Sequence, residues 1–284
     1  MAGILAGLKK LGLEDLEKAN LYEEEQKGAS MKVEEKPEKK TITLEEKDLI
    51  YDKSFCCPIC DNKFSTKVMK TGKTRAVSSD LDSRMLYEGI DPAKYEVAVC
   101  PECGYAALVS QFHPLLNAQV KMVREGICNK VKISIPTGDV YTYEDAIPRY
   151  QVALACAITK RAKDSEKASI CLHFAWLLRG YAEFTETHDG ENVMKIAELR
   201  EQEMECLEKA LDGFINARQK ESLPICGMDQ VTLDYEISAM AYLLGRDNVA
   251  AKLVSEILLS PVVSSRLKDK TRVLKELILE RHRK

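Results

Sequence analysis

The sequence predicts a mainly α-helical protein with a small β zinc ribbon near its front. Three observations carry this. Two Cys-Pro-x-Cys turns, Cys57-Pro58-Ile59-Cys60 and Cys100-Pro101-Glu102-Cys103, lie in the front part of the chain. Six of the nine prolines precede residue 146, so the front is punctuated as short strands and turns require. The last 138 residues hold only Pro148, Pro224 and Pro261 and keep a long 3.6-residue periodicity, the mark of helices.

The chain has 284 residues, 45 % apolar and 31 % charged, a globular balance with room for two modest domains. Residues 1–46 read as an amphipathic helix and a charged tether. Over residues 3–22, Ile4, Leu5, Leu8, Leu11, Leu16 and Ala19 share one side and Lys9, Lys10, Glu14, Glu17 and Lys18 lie mostly opposite. This helix either packs back on its own domain, the simpler role, or docks on a partner. Residues 23–40 carry 11 charges in 18 positions, too polar to offset the entropy of ordering them.

Residues 47–112 form the zinc-ribbon-like module, with an enlarged middle. A strand is expected at Lys63–Lys70, a helical turn near Ser79–Tyr87 and a return strand at Tyr95–Val99. Residues 113–142 are a connecting helix, starting near His113-Pro114, and an extended segment. Residues 143–284 are a helical repeat-like domain, with helices near 143–162, 166–186, 192–220, 229–244, 247–259 and 264–282. Within it, residues 237–261 look like part of a tetratricopeptide repeat. Gly245 makes the turn, Ala241 and Ala250 allow close approach, and Pro261 ends the pair, although no 34-residue period recurs upstream.

Two thiolates three residues apart can face one ion if the chain turns sharply between them. Proline sets φ at the second position, and the residue after the second cysteine must tolerate left-handed geometry. Gly104 does so freely, and Asp61 is among the next-best types. Cys57, Cys60, Cys100 and Cys103 are therefore the candidate ligands of one structural Zn²⁺, a closed four-sulfur site with no open position for catalysis. The 39 residues between the pairs exceed the usual spacing of roughly 15–20. Loop closure costs only about 0.6 kcal/mol per doubling, against on the order of 10–16 kcal/mol for structural zinc. Cys56 is a candidate alternative ligand or redox neighbour, although an ordinary half-buried cysteine is the simpler role. Cys128, Cys156, Cys171, Cys206 and Cys226 are read as core residues, as is Trp176.

Other classes find less support. The formal net charge of −3 resides entirely in residues 1–55, with 10 basic and 13 acidic side chains, so the rest of the chain has no global electrostatic preference for nucleic acid. One local candidate is the strand carrying Lys63, Phe64, Lys67, Lys70, Lys73 and Arg75, where cations could meet phosphates and the ring a base. A solvated hairpin edge is the plainer account. The eight Lys or Arg of residues 264–284 suit a helix C-terminus. Thr71-Gly72-Lys73-Thr74 fails as a phosphate loop because Lys67 stands where glycine is needed. The four histidines lack metal-ligand spacing, and no catalytic fingerprint is found, so the reading leans away from an enzyme without excluding one. No run of 18 apolar residues and no export signal is present, and ten cysteines then fit a reducing, cytoplasmic setting.

Leu49-Ile-Tyr-Asp-Lys-Ser-Phe-Cys-Cys-Pro-Ile-Cys-Asp-Asn-Lys-Phe, then Tyr87-Glu-Gly-Ile-Asp-Pro, then Tyr95-Glu-Val-Ala-Val-Cys-Pro-Glu-Cys-Gly-Tyr-Ala-Ala, resemble the bacterial family catalogued as domain of unknown function 2225. The resemblance covers about residues 47–260 and departs at 1–46. It implies a zinc-ribbon-type front, a tetratricopeptide-like back, the same four cysteine ligands and a bacterial cytoplasmic setting, with no assigned reaction. The expected function is a non-enzymatic zinc-binding adaptor or scaffold that presents a helical surface to an unidentified protein partner. A nucleic-acid-binding ribbon and a zinc-thiolate redox sensor are the alternatives. The oligomeric state is not legible.

Overall fold

Three antiparallel strand pairs come first among the described residues, and the helices follow. The computed structural model describes residues 45–128, 130, 131, 136 and 138–283. The helix and tether expected at 1–46 thus lie almost wholly outside the described residues. Residues 44–284 belong to one compact unit.

Strand β1 (Ile50–Cys56) pairs with β2 (Lys63–Met69) in unbroken register, from Ile50 opposite Met69 to Cys56 opposite Lys63. The first cysteine turn is therefore the tip of a hairpin. The second is built alike, because β5 (Val97–Val99) and β6 (Ala106–Leu108) pair with Val99 opposite Ala106. Between them, β3 (Ala76–Ser79) and β4 (Met85–Tyr87) form a third hairpin. This corrects the helical turn expected near Ser79–Tyr87. Its tip is closed by Asp80 N donating to Arg84 O at 2.8 Å, with Ser83 at φ 60°. The buried charges Asp82 and Arg84 bind helix α3 from that tip, and such contacts override local preference. The return strand begins later than expected because Pro92–Tyr95 form a 3-10 turn, capped by Asp91 Oδ1 accepting from Ala93 N at 3.0 Å.

Helix α1 (Asn117–Val123) starts after, not at, His113-Pro114, and runs into a π-helical turn, Arg124–Cys128. Six longer helices follow: α2 (Tyr143–Thr159), α3 (Asp164–His188), α4 (Val193–Lys220), α5 (Gln230–Leu243), α6 (Asp247–Leu259) and α7 (Ser265–Arg283). Each lies within a few residues of its expected span. Side-chain caps at Thr142 and Asp229 start α2 and α5. Pro148 stands in the second turn of α2, where its nitrogen cannot donate to Glu144 O. Gly245, at φ 70°, makes the turn from α5 to α6.

Two large apolar clusters hold most of the unit together, and a smaller third gathers Leu49, Ile50, Ile90, Tyr95 and Tyr141. In one, Cys57, Ile59, Tyr105 and Leu108 of the front pack with Ile127, Tyr150, Cys156 and Leu177, so the β module and the first helices share a single core. The other joins α3 and α4 to α5–α7 through Leu207, Leu211, Phe214, Ile237, Met240, Ile257 and Leu274. Cys156 and Cys171 are buried as expected, Cys128 and Cys206 half-buried, and Trp176 packs half-buried on the second cluster. Cys226 corrects the core reading. It is exposed, because its positive φ of 48° places it in the surface turn Ile225–Met228.

Candidate metal centre

The two knuckles repeat one backbone plan. Cys57 N donates to Asn62 O at 2.9 Å and Asp61 N to Cys57 O at 3.0 Å; Cys100 N donates to Tyr105 O at 2.9 Å and Gly104 N to Cys100 O at 3.0 Å. Asp61 and Gly104 hold the left-handed conformation this plan requires, at φ 58° and 73°. A Cβ on Gly104 would also meet Val131 Cγ1 at 3.3 Å. The turns point two sulfurs each into one space.

All four sulfurs, of Cys57, Cys60, Cys100 and Cys103, lie within 4.8 Å of one another. Cys57 and Cys103 are 3.5 Å apart and Cys60 and Cys100 3.6 Å. A tetrahedron of about 2.3 Å metal–sulfur bonds has edges of roughly 3.8 Å, so the quartet fits one ion of that kind. Ile59 N, at 3.5 Å from the Cys57 sulfur, and Asn62 Nδ2, at 3.9 Å from that of Cys100, direct donors at the cluster, which favours negative sulfur.

Without a cation, Cys57 and Cys60 resist ionisation. The Cys103 thiol and burial push the Cys57 thiol up, and burial pushes Cys60 up to about 11. Four thiolates this close together repel one another unless a cation lies between them, and a metal that binds thiolates displaces their protons. Cys57 and Cys100 are fully buried, Cys103 nearly so and Cys60 half-buried.

Helical elements support both turns. Arg124 Nε, from the π-helical turn, donates to Ile59 O at 3.1 Å. Under the second knuckle, Ala106 N donates to Cys156 Sγ at 3.4 Å and Lys160 Nζ to Tyr105 Oη at 3.3 Å. The Lys160 side chain is 1 % exposed and pairs with Glu166 at 2.6 Å, which accounts for a buried ammonium.

The other candidate residues stand outside the quartet. Cys56 is exposed, its thiol 3.7 Å from Asp61 O, and lines a groove of about 730 Å³ with Phe112, His113 and Arg124. Lys63, Lys73 and Arg75 are exposed. Lys67 lies 3.8 Å from Asp52, and Lys70 Nζ donates to Asp48 O at 3.0 Å. Phe64 is half-buried among rings, 5.9 Å from Phe55 and 5.7 Å from Phe112.

A buried ionic seam escaped the sequence reading. Arg84 reaches Glu183 at 2.7 Å, and Arg179 binds Asp82 at 2.7 Å, Glu203 at 2.6 Å and Asp80 at 2.9 Å. Asp82 is fully buried. The seam ties the middle hairpin to α3 and α4. Its one signal in the sequence is a lone arginine, Arg179, inside the apolar run Ala175–Ala182. No helix among the described residues is long and apolar enough to cross a membrane.

The family model of an uncharacterized protein conserved in bacteria, DUF2225, matches residues 50–278, a span containing the quartet and the seam. An uncharacterized protein of Borreliella burgdorferi is 27 % identical over 86 residues, covering 28 % of this chain and 31 % of that protein. The match thus spans about a third of that relative's length. No solved structure matches. With most of its length matched and its two cysteine turns converging inside the match, the chain belongs to the bacterial family known as domain of unknown function 2225.

Proposed function

We propose that Cys57, Cys60, Cys100 and Cys103 hold one Zn²⁺ as a structural cross-link, and that the protein is a non-enzymatic adaptor whose helical surface engages a peptide segment of a partner protein. The convergence of the four sulfurs carries the first half. Thiolate softness and tetrahedral spacing favour zinc, and four protein ligands leave no position for a reacting water. The ion would supply a fixed junction between two hairpins too short to stand alone.

A cavity of about 390 Å³ between α4, α5 and α6 supports the second half. Ile215, Ile237 and Leu253 supply apolar contact, and Arg218, Lys252 and Glu256 supply charges of both signs. An extended peptide offers a matching combination, one apolar side chain flanked by polar backbone. Deleting the helices is no test, because α2 and α3 share the front's core. The full chain should instead be affinity-purified from its native cell beside Val249→Glu and Lys252→Glu, both at exposed positions of that cavity. The reading predicts a protein recovered by the wild type and lost by both variants, with metal content and helicity unchanged. Equal recovery by all three contradicts it. Nucleic acid recovered instead, and lost on Lys63→Glu and Lys73→Glu, supports the ribbon alternative.

A further inference from the structure

A second cavity, of about 250 Å³, opens where the end of β2, the Pro92–Tyr95 turn, the end of β6 and helix α3 meet. Val68, Met69 and Leu108 give it apolar walls, and Ser110 adds a hydroxyl. Among the described residues, its only charged lining groups are Glu96 and His173. His173 Nδ1 lies 2.5 Å from Glu96 Oε2, and the same oxygen accepts from Tyr150 Oη at 3.2 Å. One carboxylate thus fixes one face of the imidazole, as orienting carboxylates do in binding and catalytic sites.

Burial opposes charge on both partners, yet each outweighs it for the other. The carboxylate beside His173 raises its pKa, with Glu236 adding to the effect, and the imidazolium beside Glu96 lowers that of the acid. The 2.5 Å contact and these opposed shifts favour the ionic form of the pair, in which Nδ1–H is committed to Glu96. His173 Nε2 makes no hydrogen bond to a described residue, and the side chain is 25 % exposed, so a ligand's acceptor would take the place of solvent there. A donor on an oriented ring, lining an apolar cavity, has no assigned acceptor.

We propose that this cavity binds a small, uncharged, mainly apolar molecule through a single hydrogen-bond acceptor, which takes the Nε2–H of His173. The ligand is uncharged because Glu96 already balances the imidazolium, so an added carboxylate or ammonium would leave an unpaired charge there. It is compact because the cavity is smaller than the roughly 300–1,000 Å³ that drug-sized ligands fill. The proposal is independent of the metal and of the adaptor reading. A His–Glu pair that merely staples the β module to α3 has no reason to discriminate among such molecules.

The chain's single tryptophan provides the readout, since the Trp176 ring centroid lies 4.6 Å from that of His173. Emission of the full-length, metal-loaded protein is titrated with four monosubstituted benzenes of similar size: benzamide, toluene, benzoate and benzylamine. Benzamide is expected to give a saturable change with an affinity about tenfold above that of toluene, the usual worth of one buried hydrogen bond. Benzoate and benzylamine are expected to bind more weakly than benzamide. His173→Phe should lose the discrimination against toluene, and His173→Gln, whose amide can donate, should keep it. If the phenylalanine variant does not fold, the ¹⁵N resonance of His173 Nε2 decides, shifting with benzamide and not with toluene. No saturable response to millimolar benzamide, an equal response to toluene, or a preference for either charged probe overturns the proposal.

Discussion

The two ends of the folded unit are held by different physics. Around α5–α7 the core is a continuous apolar cluster, where Leu233, Ile237, Met240, Ile257 and Leu274 each add a modest share. The front has three hairpins with strands of three to seven residues, lengths marginal on their own. Beside the core that it shares with α2 and α3, its order rests on a few attachments, namely the sulfur quartet, the Lys160–Tyr105 contact and the arginine seam. Distributed packing tolerates single losses; point attachments do not.

The largest break in that contrast should come from the quartet. Cys100→Ser, or a chelator, should remove much of the roughly 10–16 kcal/mol that the proposed zinc would contribute. Hydrogen exchange should then accelerate across β1, β2, β5, β6 and α2, which share the quartet's core, while α5–α7 stay protected. Uniform acceleration over all helices would make the two regions one cooperative body and break the comparison.

Next comes the seam. Arg179→Met leaves Asp82 buried without its cation and Glu203 with Arg200 alone, and losing one partner of such a pair costs about 3–5 kcal/mol. Urea midpoints of the variant and the wild type measure it. A loss below about 1 kcal/mol would place Arg179 in the class of exposed pairs.

Glu236 gives a pH-dependent effect of intermediate size. It is 4 % exposed and burial lifts its carboxyl to about 7. The folded state therefore holds a proton that the unfolded state releases near 4.5. Stability from this group is complete below that value and falls as pH rises through 7, by at most roughly 3 kcal/mol. Glu236→Gln should flatten the decline between pH 5 and about 8 in denaturation midpoints; an unchanged slope would refute the assignment.

Lys67→Ala should matter least. Its partner Asp52 is 3.8 Å away and largely exposed, so the change should stay under about 1 kcal/mol and vanish in high salt. A larger, salt-insensitive loss would mean that the β1–β2 hairpin also depends on a point attachment.

What was legible in the sequence follows the same division. Helix spans and knuckle turns are written locally, in 3.6-residue periodicity, in proline at the second turn position and in Asp61 and Gly104 after each pair. The hairpin at Ala76–Tyr87 was not legible, because Asp82 and Arg84 obtain their partners about a hundred residues away on α3. The shared core was hidden for the same reason. Cys156 looks like any helical cysteine until Ala106 N is found donating to it. Of the candidate site, the four ligands were visible from spacing, while Lys160 and Arg124, which brace the knuckles, carry no motif. Phe64, a candidate ring for stacking on a base, packs half-buried beside Phe55 and Phe112, contacts that depend on strand pairing and a distant loop.

X-ray absorption on protein purified from its native cell, with elemental analysis of the same sample, tests the central claim most directly. One zinc per chain, with four sulfur neighbours at about 2.3 Å, is the predicted result. Absence of a stoichiometric metal, or a first shell containing nitrogen or oxygen, would contradict a closed cysteine quartet as the pin of the front.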